Sequence, residues 1–191
     1  MPRIEPLSPP YSPQAEELLT SMMPASSPVP PLALFRVMGR NLSMAEAAHV
    51  MGKWMLRRRP KERDGLTVRD REIAILRTCG RCRCEYEWGV HVAFFAERVG
   101  ISAAQANATA RPELDGEAGW SGEDRQLLEA VDAMCGTGTI PAQVWEALAA
   151  RWPPEDLLEL TMLVGWYHAI AYTANAAQVP LEPWAARFPE P

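Results

Sequence analysis

A chain of 191 residues is enough for one domain with a full core, and the usual length per domain gives roughly one to two units. Its residues are 48% apolar and 23% charged, which excludes a wholly disordered chain. The net charge of −5, from 19 Lys and Arg against 24 Asp and Glu, gives no general attraction to nucleic acid or anionic membranes. No stretch reaches the ~20 apolar residues that span a bilayer. The most apolar region, Leu157 to Ala177, is interrupted by Glu159, His168 and Asn175. The segment Met1-Pro-Arg-Ile-Glu-Pro lacks the apolar core of a signal peptide, so the cytoplasm is the expected compartment.

Half of the 18 prolines precede Leu32. Proline removes an amide donor and disfavours helix at the residue before it. Residues 1–31 therefore read as a Pro-rich arm, extended or wrapping a neighbour, with one or two helical turns at Gln14 to Met22. Residues 32–191 read as a single all-α domain, a compact helical bundle. The first helix runs from Leu32 to Arg40. Ser43-Met-Ala-Glu46 has capping-box spacing and opens a helix to about Arg58. The basic run Arg57 to Arg63, broken by Pro60 and Glu62, reads as a solvated turn. Thr67 with Asp70 opens a helix that stops near Cys79-Gly80. The next starts at Cys84 or Glu85 and ends at Gly100. Ser102 caps a short helix to about Ala110. Ser121 with Asp124 opens one ending near Cys135-Gly136. Pro141 opens another at the position where proline is tolerated. Pro153-Pro154-Glu155 opens a long final helix to about Ala177, followed by a tail carrying Leu181, Trp184 and Phe188.

Residues 67 to 100 carry the candidate chemistry. On a helix, Glu72 shares a face with Val68, Ile75, Leu76 and Cys79, all apolar positions. A carboxylate on such a stripe loses hydration, and its pKa rises unless a cation or donor compensates, as a general acid or base requires. Pairing with one of the many arginines is the purely structural alternative. Cys84, Glu87 and His91 stand at i, i+3 and i+7, within about 60° of arc, and form one column. Cys84 lies at a helix start, where unpaired amides and the positive dipole end favour a thiolate. His91 can exchange protons with Glu87 one turn below it. Tyr86 and Trp88 flank the column, and Phe94 and Phe95 follow it.

Cys79-x2-Cys82-x-Cys84-x6-His91 supplies four ligand atoms, the count for tetrahedral zinc. Its spacing argues against metal, because the three cysteines fall across one helix end and a short loop. Cys79-Gly-Arg-Cys82 is formally a CxxC, but redox pairs favour a helix start and this pair lies at a helix end.

The segment Glu72-x11-Cys84-x-Tyr86-Glu87-Trp88-x2-His91, with the apolar run to Gly100-Ile-Ser102, resembles the carboxymuconolactone decarboxylase family, which includes the alkylhydroperoxidase D-like proteins. Glu159-Leu-x3-Val-Gly165-Trp-Tyr167 looks like that family's final helix. The resemblance covers about residues 32 to 185 and is most specific over 67 to 102. It implies an alkylhydroperoxidase D-like helical bundle that assembles as a trimer or hexamer and needs no cofactor. In the peroxidase branch a Glu, a CxxC pair and a His form a proton relay and redox couple. By register Glu72 takes the Glu position, Cys84 the first Cys position and His91 the His position. Glu87 stands where the second Cys belongs, and a carboxylate cannot form a disulfide with Cys84. A peroxidase cycle would have to recruit Cys82 or Cys79 as the resolving thiol.

Three readings follow. In the first, the chain is an enzyme using acid–base chemistry on a small organic acid or lactone (decarboxylation, isomerisation or lactone chemistry), with Glu72, Cys84, Glu87 and His91 catalytic. In the second, it is a thiol-dependent hydroperoxide reductase using Cys84 with Cys82 or Cys79. In the third, it is a non-catalytic oligomeric binding protein. Tyr86, Trp88, Tyr167 and His168 are candidates for the substrate pocket. His49 reads as structural, Trp54, Trp145 and Trp152 as packing residues, and Cys135 as a buried helix-end cysteine.

Overall fold

The computed structural model describes residues 1–24, 27, 29–57, 65–114 and 118–190. Among these, all regular structure is helical. Contacts divide the chain into two compact units. One comprises Met1–Arg58 with Thr173–Pro183, and the other Arg59–Tyr172 with Trp184–Pro191. This differs from the break expected at residue 32, because the Pro-rich arm packs with the helices that follow it.

In the first unit, α1 (Pro13–Ser21) starts at Ser12, whose hydroxyl accepts from the Ala15 amide. It buries Ala15, Leu18 and Leu19. Next come α2 (Ala33–Met38) and α3 (Leu42–Met55). The arm is tied down by Leu7 N donating to Arg36 O at 3.1 Å and by Arg36 Nη1 donating to Leu7 O at 3.0 Å. Glu182 accepts from the Ala33 amide at 2.7 Å and so closes the start of α2. The cap of α3 is Asn41, not Ser43: Asn41 Oδ1 accepts from the Met44 amide, and Ser43 merely donates to Asn41. An Asn two residues upstream is an equally good cap, so the helix starts earlier than its Ser-x-x-Glu spacing suggests. Trp54 is 45% exposed and carries the Arg57 guanidinium 4.0 Å above its ring. The expected turn over 58–63 lies outside the described residues.

The second unit is built on α4 (Val68–Arg81), whose residues Asp70 to Gly80 are all buried. Its capping box is complete: Thr67 accepts from the Asp70 amide, and Asp70 accepts from the Thr67 amide. Around it lie α5 (Glu85–His91), α6 (Ala103–Ala110), α7 (Gly122–Thr137), α8 (Ala142–Arg151) and the Pro154–Tyr172 part of α9 (Pro154–Ala177). The capping boxes at Ser102–Gln105 and Ser121–Asp124 both form. α4 packs against α5, α6 and α7. At Gly80 the α4 and α6 backbones meet so closely that a Cβ would overlap the Thr109 carbonyl oxygen. Arg77, fully buried, fixes the end of α6: it chelates Asp132 at 2.6 and 2.7 Å and donates to the carbonyls of Thr109, Arg111 and Pro112. The helix expected from Cys84 to Gly100 is not uniform. It is α-helical to His91, π-helical over Val92–Ala96 and 3-10 over Glu97–Val99, and it ends on Gly100 at φ 71°.

Candidate functional site

The relay is assembled in the second unit from α4, α5 and α9. Glu72 stands one turn into α4 and His91 ends α5, and the crossing of these helices brings Glu72 Oε2 to 2.7 Å from His91 Nδ1. The other ring nitrogen, Nε2, lies 3.0 Å from the Tyr167 hydroxyl on α9 and 3.6 Å from Glu87 Oε2, one turn back on α5. The network assigns Nδ1–H as donor to the Glu72 carboxylate, which leaves neutral Nε2 to accept from Tyr167 O–H. Tyr167 also presents its ring edge-on to the imidazole at 5.2 Å. Glu72, Glu87, His91 and Tyr167 are each at most 6% exposed, and Cys84 and Cys79 are fully buried.

Burial governs the titration of this cluster. Burial alone would lower His91, but the charge of Glu72 and its hydrogen bond outweigh that and raise the imidazole above its ordinary value. Burial raises Glu87, against the pull of His91 and with the repulsion of Glu72 added. Tyr167 is held well above the phenol range by burial and by the charges of Glu87 and Glu72. Burial pushes the Cys84 thiol up to about 12, against the Glu87 and Tyr86 amides that draw it down. The thiolate expected at this helix start is therefore corrected to a neutral thiol: Cys84 does occupy the N-cap of α5, but desolvation exceeds what those amides return.

The structure brings Glu72, Glu87 and His91 together with Tyr167 and separates the other pocket candidates from them. Trp88 is turned from the relay, since one residue's step rotates it about 100° from Glu87. Its Nε1 donates to Thr109 Oγ1 at 2.9 Å and its ring meets Phe188 at 5.2 Å. Tyr86 is packed at 3% exposure. His168 stands apart for the same rotational reason: its Nδ1 donates to Val164 O at 3.0 Å and its ring meets Tyr172. It lines a cavity of about 740 Å³ with Met134, Cys135, Ile140, Trp145 and Val164, and none of Glu72, Cys84, Glu87 or His91 lines that cavity. The hollow expected beside the ionisable cluster is thus not this one, and the cluster itself is sealed. Trp145, 40% exposed, and Cys135, half-buried, belong to this cavity rather than to the core, whereas Trp152 is buried as expected.

One further member was not singled out in the sequence. Arg71 is 3% exposed and near enough to Tyr167 to draw its phenol down in part. Cys79, on the Glu72 face of α4, meets the start of α5 through Cys84 N donating to Cys79 O at 2.8 Å. No disulfide joins the four cysteines. Among the described residues no group of three or more His, Cys, Asp or Glu side chains is placed to hold a metal ion. Nor is any described helix long and apolar enough to cross a membrane.

No protein-family model matches the sequence, and no curated protein does. Solved structures do match the backbone. A peroxidase-related protein from Ralstonia eutropha JMP134, an alkylhydroperoxidase AhpD core, superposes with a TM-score of 0.76 at 16% identity, over 94% of this chain and 93% of that one. The chain has the alkylhydroperoxidase D-like fold. A second protein with this fold, a peroxidase-related protein from Silicibacter sp. TM1040, gives a TM-score of 0.74 at 13% identity, over 94% of this chain and 93% of that one. The debrominase Bmp8, in complex with 2,3,4-tribromopyrrole, gives 0.71 at 15% identity, over 95% and 92%. The alkylhydroperoxidase D-like fold accounts for the all-helical architecture expected from the sequence.

Proposed function

We propose that the chain is an enzyme that moves protons on a small, enolisable organic acid or lactone, as its resemblance to the carboxymuconolactone decarboxylases suggests. One observation carries this reading: His91 is held at both ring nitrogens, by Glu72 at 2.7 Å and Tyr167 at 3.0 Å. Nε2 takes the substrate proton while Nδ1–H stays on Glu72, whose charge stabilises the imidazolium that forms. The Tyr167 hydroxyl, held well above the phenol range, donates to the oxygen on which negative charge builds, and Glu87, its carboxyl raised by burial, stands beside the imidazole. Cys84, a neutral thiol, is a wall of the site or a weak acid rather than its nucleophile.

The test replaces Glu72→Gln and His91→Ala separately and assays lactones, β-keto acids and 2,3,4-tribromopyrrole, the last because a protein of this fold binds it. Each change should lower turnover about a hundredfold or more. Turnover that survives both sinks the reading.

A second reading is favoured by the Cys84–Cys79 backbone hydrogen bond and by the peroxidase-related neighbours. Here a hydroperoxide oxidises the two thiols to a disulfide and is itself reduced to an alcohol and water. Peptide mapping after stoichiometric hydroperoxide should show a Cys79–Cys84 bond, and unmodified thiols would exclude it. In either case we propose self-association through the outer face of α9, where Leu158 is 65%, Met162 51% and Tyr172 63% exposed. A light-scattering mass near 21 kDa would contradict that.

A further inference from the structure

The relay is closed to solvent, yet a proton-transfer site must admit its substrate. Along α5 and the turn that follows it lies a short segment without regular structure, residues 184–188. Ala186 N donates to Gly89 O at 3.2 Å, and Phe188 N donates to Glu85 Oε1 at 3.1 Å. Phe188 lies on Trp88 at 5.2 Å, and Trp184 on Phe94 at 4.7 Å. From Trp184 a row of rings leads inward: Phe94 meets Phe95 at 6.2 Å, and Phe95 meets the His91 imidazole at 5.1 Å. The π-helical turn Val92–Ala96 carries both phenylalanines. An i→i+5 turn is wider than an α-turn and frequently marks a functional site.

The attachment is slight. Trp184, Ala185, Ala186 and Phe188 are only half-buried and Arg187 is exposed. Segments with few buried contacts and exposed hydrogen bonds open at low free-energy cost. Gly89 is fitted to the strap, since a Cβ there would overlap the Ala186 carbonyl oxygen.

We propose that residues 184–188 are a releasable strap over α5, and that lifting it opens a port along Trp184, Phe94 and Phe95 to His91 for flat, unsaturated rings. This rests on the relay being the reactive centre. Once Trp184 leaves Phe94, a planar ring can take its place against the exposed face, whereas a puckered saturated ring of the same size cannot stack there.

The test is a Gly89→Ala variant of the full chain. Alanine suits a helix interior better than glycine, and Gly89 takes no part in the relay, so the change pushes on the strap alone. Gly165→Ala is the control, because its Cβ meets nothing within 4 Å. Carbethoxylation of His91 is followed by peptide mass at mildly alkaline pH, with His49 and His168 as internal standards. Gly89→Ala and Trp184→Ala should each speed modification of His91 roughly tenfold relative to those standards, and Gly165→Ala should not. Benzoate should slow the reaction in Gly89→Ala, and cyclohexanecarboxylate should not. An unchanged His91 rate overturns the strap, as does an equal rise at all three histidines. Equal protection by both acids, or by neither, overturns the flat-ring port. The readout needs no turnover: if none of the candidate substrates reacts, the function proposed above fails while this result stands.

Discussion

His91 Nδ1 and Glu72 Oε2, nineteen residues apart in the chain, meet at 2.7 Å in a buried hydrogen bond. Glu72→Gln removes the charge and keeps the shape. The His91 pKa should then fall by roughly one to three units, read from its ring protons by NMR. The native pair keeps the imidazole protonated above its ordinary 6.5, so the folded state holds more protons as pH rises through that value. The stabilisation is complete below about pH 6.5 and is lost as pH climbs through the raised native value. Urea unfolding at a series of pH values should show this slope in the native protein and a weaker one in Glu72→Gln.

Cys84 acts in the same sense at alkaline pH. Its thiol moves from 9.0 to about 12 on folding, so the native state retains a proton that the unfolded chain gives up. Stability should therefore decline as pH rises above about 9, by up to about 4 kcal/mol once the native thiol also titrates. Cys84→Ala should flatten that decline in denaturant titrations, at the cost of a small packing loss at neutral pH.

Gly80→Ala should be strongly destabilising, by about 2–4 kcal/mol. The obstruction is the Thr109 backbone carbonyl, which cannot rotate aside as a flexible side chain could. Gly165→Ala should be neutral or stabilising by up to about 1 kcal/mol, since its surroundings are open. Melting curves of the two variants side by side give the comparison.

Arg77→Ala should cost about 3–5 kcal/mol. It leaves Asp132 to the more distant Arg81 at 3.6 Å and removes the donor to three carbonyls at the end of α6. Hydrogen exchange should show residues 109–112 losing protection first.

Much of this fold is legible locally. Thr67–Asp70, Ser102–Gln105 and Ser121–Asp124 form the reciprocal caps that their spacing announces, because a cap depends on four neighbouring residues. Ser43 misleads because Asn41 competes for the same helix start. Glu72 and His91 are legible as polar groups on apolar faces. The Tyr167 contact to Nε2 spans 76 residues and depends on how α9 docks, which no short window contains. The state of Cys84 escapes for a related reason. Sequence reports its helix start, but the desolvation that decides its proton comes from tertiary packing.

The π-turn at Val92–Ala96 also makes this stretch sensitive to length. Its hydrogen-bonded ring encloses one residue more than an α-turn does. Removing a single residue there would let the stretch close into a regular α-helix while the turns on either side keep their faces, because the wide turn is what absorbs the extra residue. The same deletion in a regular helix would rotate everything beyond it by about 100°. At Val92–Ala96 the cost would fall on Phe94 and Phe95, which sit within the wide turn, and not on any ionisable group.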